Sequence, residues 1–262
     1  MDPSKLIEGA AHVPVYAKWR GAHWVLAALA DTGHPPGDPR LVPLRERVLA
    51  TWLAVRPPVL DGRWRAHASQ PGNALRSLVK LGLADERCDS LAGQLLEWQW
   101  PDGGWNCDRR PAATTSSFHE SLLPMRGLWA YGSEACREAA RRAAEVFLRR
   151  RLLFRAGTGE LIRDDFAKLH FPRYWHYDML GGLVAMMEMG LLDDPRCADA
   201  LDLLESKRLP DGWPAQATYA RGATRDSVDW GGTSTRRANP WVTADAVAVL
   251  RAAGRLSWTS ES

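Results

Sequence analysis

The residues best equipped for chemistry fall in four short stretches: WNCDRR (105–110), SSFHES (116–121), FPRYWHYD (171–178) and VDWGG (228–232). Asp178 lies in an aromatic, apolar run, where a carboxylate needs a specific partner and where burial raises its pKa. Asp178 or Glu120, assisted by His119 or His176, would then act as general acid or base at neutral pH. Glu120 also follows Ser117 at capping-box spacing, so an N-cap role competes with a chemical one. No cofactor or metal is expected. The alternative is a zinc ion held by Cys107, Asp108 and either His119 or His176, since thiolate, carboxylate and imidazole are all zinc ligands. The chain holds 13 tryptophans, several near these stretches. Their π faces can stabilise a carbocation or ammonium, stack on a sugar, or simply wedge helix ends.

The elements that must position these groups are helices. Five apolar segments end at a glycine, LADTG (Gly33), LVKLG (Gly82), LWAYG (Gly132), MMEMG (Gly190) and LRAAG (Gly254). Glycine there takes the left-handed conformation that closes a helix. The first four are followed by helix-start signals at Asp38, Asp85, Ser133 and Asp194. The chain therefore reads as tandem helical hairpins. In each, a first helix apolar all round, such as WVLAALA (24–30) or MLGGLVAMMEMG (179–190), precedes a second with a polar face, such as RCADALDLLESKR (196–208). A longer repeat overlies the hairpins: Leu83, Asp85, Arg87, Cys88, Leu95, Pro101, Asp102 and Gly103 recur 109 positions later, from Leu192 to Gly212.

This pattern predicts an all-α fold, an α/α toroid of about five hairpins with inner and outer helix rings. An open α-solenoid is the alternative. A single domain over residues 1–262 accommodates it, with about 1–15 and 256–262 peripheral. In a toroid the inner helices would start at one mouth, together with the loops WRAHASQ (64–70), WNCDRR, LIRDDFAKLHF (161–171) and DSVDWGGTSTRR (226–237). Trp19, Arg20, His23, Trp24, Cys107, Asp108, Trp175, Tyr177, Asp229, Trp230 and Trp241 are the substrate-binding candidates at that mouth, although His23 also suits a structural role.

Composition narrows the function. Apolar residues make up 45% and charged residues 25% of 262, as in a globular protein with a sizeable core. The net charge of +3 is too even for a general nucleic-acid binder. The one basic stretch, RRAAEVFLRRRLLFR (141–155), reads as a solvated outer helix, with weak membrane-surface contact as its alternative. No signal sequence or apolar run of about 18 residues is present, so a cytoplasmic location is expected. Cys88, Cys107, Cys136 and Cys197 lack paired spacing and read as reduced thiols.

Gln99-x-x-Asp102-Gly103-x-Trp105 resembles the QW motif of the terpenoid cyclase and protein prenyltransferase superfamily, with degenerate copies at Asp61-Gly62-Arg63-Trp64 and Asp211-Gly212-Trp213. KWRGAHW (18–24), SSFHES, FPRYWHYD and VDWGG are similar to signatures of small bacterial stand-alone toroids described as prenyltransferase-like. The resemblance spans about residues 18–254. It implies a toroid in which Gln99, Asp102 and Trp105 are structural, and an enzyme that takes an apolar, isoprenoid-like ligand in a central cavity. Two family signatures are missing. IRDDF (162–166) and RDSVDW (225–230) do not match the D-x-D-D acid motif of the cyclases, and no Asp stands two residues before Cys107 as in the prenyltransferase zinc site. A carbohydrate-active α/α hydrolase or lyase and a non-catalytic ligand-binding or interaction scaffold therefore stand as alternatives.

Overall fold

The computed structural model describes residues 2–219 and 228–257. Residues 225–227 of RDSVDW, of which 226–227 also open the DSVDWGGTSTRR loop, and 258–262 of the tail lie outside them. Helices dominate the described residues, and none of them is long and apolar enough to cross a membrane. The chain forms two compact units, one comprising Met1–Val146 and Ala220–Val228, the other Phe147–Tyr219 and Asp229–Ser262.

The first unit contains α1 (Pro3–Ala11), α2 (Ala22–Asp31), α3 (Val42–Leu53), the strands β1 (Val59–Leu60) and β2 (Arg63–Trp64), α4 (Ser69–Lys80), α5 (Arg87–Glu97) and α6 (Phe118–Tyr131). It also takes in most of α7 (Glu134–Leu148). Helices α2, α4 and α6 pack in that order, with α3 set against α2 and α4, and α5 against α4 and α6. The apolar helix is a buried one, as its composition requires: α2 buries eight of its residues, including Trp24, Val25, Leu26 and Leu29. Helix α1, at the terminus expected to be peripheral, packs on α2 and α3. Arg47 caps its open carbonyl end, donating to Ala10 O at 2.6 Å and Ala11 O at 3.0 Å.

In the second unit α8 (Met179–Glu188) packs against α9 (Ala198–Ser206) and α10 (Pro240–Ala252). Every residue of α8 from Met179 to Met186 is buried, as a helix apolar all round should be.

The punctuation follows the sequence closely. Gly33, Gly82, Gly132, Gly190 and Gly254 all take positive φ, between 63° and 86°. The carboxylates of Asp38, Asp85 and Asp194 accept the backbone N–H groups of Arg40, Arg87 and Arg196 at 3.0, 3.1 and 2.9 Å.

One helix pair is joined unusually tightly. A Cβ added at Gly72 of α4 would lie 2.4 Å from Pro124 N of α6, and one at Gly127 of α6 would lie 2.4 Å from Gly72 O. The two backbones touch where their side chains would otherwise stand. This contact holds the first turn of α4 against the middle of α6, one helical turn beyond Glu120.

The QW-like turn is a structural device at Gln99–Trp105 and in its degenerate copy at Asp211–Trp213. Gln99 Nε2 donates to Gly103 O at 2.7 Å and to Ala139 O of α7 at 2.8 Å, while Arg142 donates to its Oε1 at 2.7 Å. Trp105 is fully buried; its indole N–H donates to Leu95 O at 3.0 Å and its backbone N–H to Ser121 Oγ at 2.9 Å. Trp213 repeats the arrangement, its indole donating to Leu204 O at 2.7 Å and its backbone N–H to Thr243 Oγ1 at 2.9 Å. The third copy is different. Asp61 and Gly62 adopt φ of 50° and 69° between the paired strands β1 and β2, so Asp61-Gly62-Arg63-Trp64 is a tight β-hairpin, not a helix-end turn.

Candidate functional site

Three segments of the first unit converge on one point. His67 lies in the WRAHASQ loop just before α4, Cys107 in the WNCDRR loop after the QW-like turn, and Glu120 in the first turn of α6. A parallel backbone bridge between Arg65 and Asn106 brings the first two loops together. Asn106 holds the second in shape: its Nδ2 donates to Thr115 O at 2.8 Å and its Oδ1 accepts Asp108 N–H at 3.0 Å.

The donor atoms of His67, Cys107 and Glu120 all lie within 4.8 Å of one another. Among the described residues this is the one group of three potential metal ligands that meets in this way. His67 Nδ1 stands 3.1 Å from Glu120 Oε1, and Glu120 Oε2 accepts the buried backbone N–H of Ser69 at 3.0 Å. The Glu120 side chain is 6% exposed and that of His67 63%, so the carboxylate forms the floor and the imidazole the rim. Cys107 is the one cysteine of the four that is not buried.

Burial acts to raise the pKa of Glu120, but the bonds from His67 and Ser69 outweigh it and hold the carboxyl below its usual range. The sequence-based expectation that burial raises the pKa of this carboxyl is thus reversed. The proton resides on His67, whose bonds to Cys107 and then Glu120 raise its pKa to about 10. The capping-box reading also fails, because Ser117 makes no side-chain cap bond and Glu120 is engaged with the α4 segment instead.

Tyr16 borders this group. It bonds to Gln70 and feels the charge of Glu120, and its phenol is pushed up to about 12, chiefly by burial. Its ring packs 5.1 Å from Trp24 and 5.6 Å from Trp52. Sequence reasoning missed Tyr16 and His67. His67 sat in a loop that was expected to contribute to the mouth, but its partners are more than 35 positions away and no local motif marks it.

Other candidates are engaged elsewhere. Asp108, named as a companion ligand for Cys107, is paired with Arg110 at 2.5 Å. His119 is half-buried beside Glu120 in sequence but contributes no donor atom to the converging group. Nor does His176, which stacks between Trp175 (3.8 Å) and Tyr219 (3.5 Å) in the second unit. His23 is buried: its Nδ1 accepts from Trp52 Nε1 at 3.2 Å and its Nε2 meets the Asn73 amide at 3.3 Å. Trp24 is buried, Trp19 nearly so with its ring 4.6 Å from that of Trp24, and Arg20 is exposed.

Asp178 belongs to the second unit and is fully buried as the N-cap of α8. Its Oδ1 accepts Gly181 N–H at 2.7 Å and its Oδ2 accepts His170 N–H at 2.8 Å. This accounts for a carboxylate in an aromatic run without any reaction. Tyr177 is likewise buried, its hydroxyl donating to Leu152 O at 2.6 Å. Trp230 and Trp241 pack with Phe171, their rings 5.5 and 5.8 Å from it, and Trp241 Nε1 donates to Asp229 O at 3.1 Å. The Asp229 carboxylate accepts Gly231 N–H at 2.8 Å in a local turn.

No protein-family model matches the chain, and no curated protein is significantly similar to it.

Proposed function

We propose that this chain is an α/α toroid enzyme of terpenoid-cyclase or prenyltransferase-like type, acting on an apolar small molecule, with His67, Cys107 and Glu120 as its reactive centre. The observation that carries this reading is the convergence of an accessible thiol, an imidazole and a buried carboxylate from three segments. Groups of these types, held by a rigid scaffold, are what a nucleophilic or acid–base centre requires. Cys107 would supply the nucleophile, His67 the proton, and Glu120 the fixed charge that orients His67. The aromatic surroundings of Tyr16 favour an apolar ligand beside them. The toroid is supported by the inner rows α2–α4–α6 and α8–α10, each backed by polar-faced helices, and by the two equivalent QW-like turns.

Alkylation of chelator-treated protein with iodoacetamide, read out by peptide mass spectrometry, tests the centre. Cys107 should react faster than in His67→Ala, and geranyl diphosphate should protect it. If Cys107 reacts at the same rate in His67→Ala, the three groups do not work together and the assignment falls. If the rates differ but no isoprenoid protects, the centre stands and the substrate class is wrong.

A further inference from the structure

We propose that His67, Cys107 and Glu120 bind one zinc ion, leaving its fourth coordination position open. Three observations carry this. The first is the ligand set: imidazole, thiolate and carboxylate are the side chains zinc prefers, and three protein ligands with one open position is the pattern of catalytic rather than structural sites. The second is spacing. A tetrahedral zinc with ordinary bond lengths sets its N···O ligand edge at about 3.3 Å and its edges to sulfur at about 3.6 Å. His67 Nδ1 and Glu120 Oε1 already stand 3.1 Å apart, and the sulfur lies within 4.8 Å of its companions. Closing the site brings the sulfur nearer to its companions by at most about 1.2 Å.

The third observation separates a metal site from a proton relay. In a nucleophile–histidine–acid relay the sulfur and the carboxylate bond opposite ring nitrogens, which places them about 7 Å apart across the imidazole. Here they lie within 4.8 Å of each other. Two groups that can each carry a negative charge, facing one point, create a place for a cation. A thiolate and a carboxylate also balance the charge of Zn²⁺, so an occupied site would be neutral overall.

The surroundings are built for fixed geometry. The second oxygen of Glu120 is held by Ser69 N–H at 3.0 Å, which leaves Oε1 to face the metal. Cys107 lies between Asn106, bonded to Thr115, and Asp108, bonded to Arg110. The chain order, His67 then Cys107 then Glu120, and the absence of an Asp-x-Cys pair distinguish this site from the zinc site of the prenyltransferases it resembles.

Metal binding stands on the geometry alone. Only the open fourth position, facing a water or an anionic oxygen of the substrate, rests on the reading of these residues as the reactive centre. The test uses full-length protein stripped with chelator and titrated with Co²⁺ and then Zn²⁺. The expected result is a saturable thiolate-to-cobalt charge-transfer band, displaced by zinc, with one zinc per chain by elemental analysis. Cys107→Ser should abolish the band while keeping the helical circular dichroism, and His67→Ala and Glu120→Gln should each weaken cobalt affinity by at least about tenfold. No saturable band, or a band that persists in Cys107→Ser, overturns the proposal. The alkylation experiment on metal-free protein reports separately: fast Cys107 alkylation without metal binding sinks the zinc site and spares the reactive thiol, and the converse result does the opposite.

Discussion

Glu120, in the first turn of α6, accepts the backbone N–H of Ser69, the first residue of α4, at 3.0 Å, and turns its other oxygen to His67 at 3.1 Å. One carboxylate thus ties together two neighbouring helices and holds the imidazole of the candidate site. The helix contact beneath it, where Gly72 meets Pro124 and Gly127, sets the distance this carboxylate must span. Fold and site share a single piece of geometry.

Removing the carboxylate charge should therefore cost stability as well as chemistry. Glu120→Gln keeps the shape and an acceptor for Ser69, so a loss of about 1–2 kcal/mol is expected in urea unfolding. Glu120→Ala leaves the Ser69 N–H buried and unpaired, and a loss of about 3 kcal/mol should follow. The His67 side of the pair is largely exposed and screened by solvent, so it contributes the smaller share. Equal stability of wild type and Glu120→Ala would show that the carboxylate is not a structural tie.

Glycine substitutions should separate contact from propensity. Gly72→Ala or Gly127→Ala forces a methyl group into the opposite backbone, and a loss of about 3 kcal/mol or failure to fold is expected. Gly93, in α5, has nothing within 4 Å of an added Cβ. Gly93→Ala should instead raise stability by about 0.5–1 kcal/mol through helix propensity. Thermal unfolding of the three variants checks both signs.

The helical punctuation was legible because it is local: an Asp or Ser beside the chain start it caps, a glycine at each helix end. The burial of α2 and α8 was legible because an apolar stretch has nowhere else to go. Asp178 was readable as special but not as a cap, since Asp-Met-Leu-Gly carries the same letters for an N-cap and for a buried acid. Glu120 was legible by type and misread in charge, because its partners, His67 and Ser69, arrive from a segment 51–53 residues away. His67 escaped for the same reason. Asp61-Gly62 was misread because one dipeptide serves both a helix-end turn and a hairpin, and only the strand pairing distinguishes them.

The QW-like turn should behave as a fastener. Gln99→Leu removes donors to Gly103 O and Ala139 O and frees Arg142, which should cost about 2 kcal/mol. The rate of Cys107 alkylation should be unchanged in the folded variant. A collapse of that rate at undiminished stability would move the turn from scaffold to site.

His23 predicts a pH dependence with a defined sign. Burial lowers its pKa from 6.5 to about 3 in the folded chain, while the unfolded chain titrates at the ordinary value. Between those values the unfolded state binds a proton that the folded state refuses, so stability is fully present above pH 6.5 and is lost as pH falls toward 3. From pH 7 to pH 5 the loss is about 2 kcal/mol, a pH range in which most carboxylates remain ionised. His67 works in the opposite sense: its pKa is raised to about 10, so its contribution is complete below 6.5 and fades as pH rises through 10. That contribution is common to wild type and His23→Gln and cancels in their comparison. The stability difference between pH 7 and pH 5, measured by urea unfolding, should be larger in wild type than in His23→Gln by about 2 kcal/mol. Parallel pH curves would mean that His23 takes up a proton in the folded protein, against its place between Trp52 and Asn73.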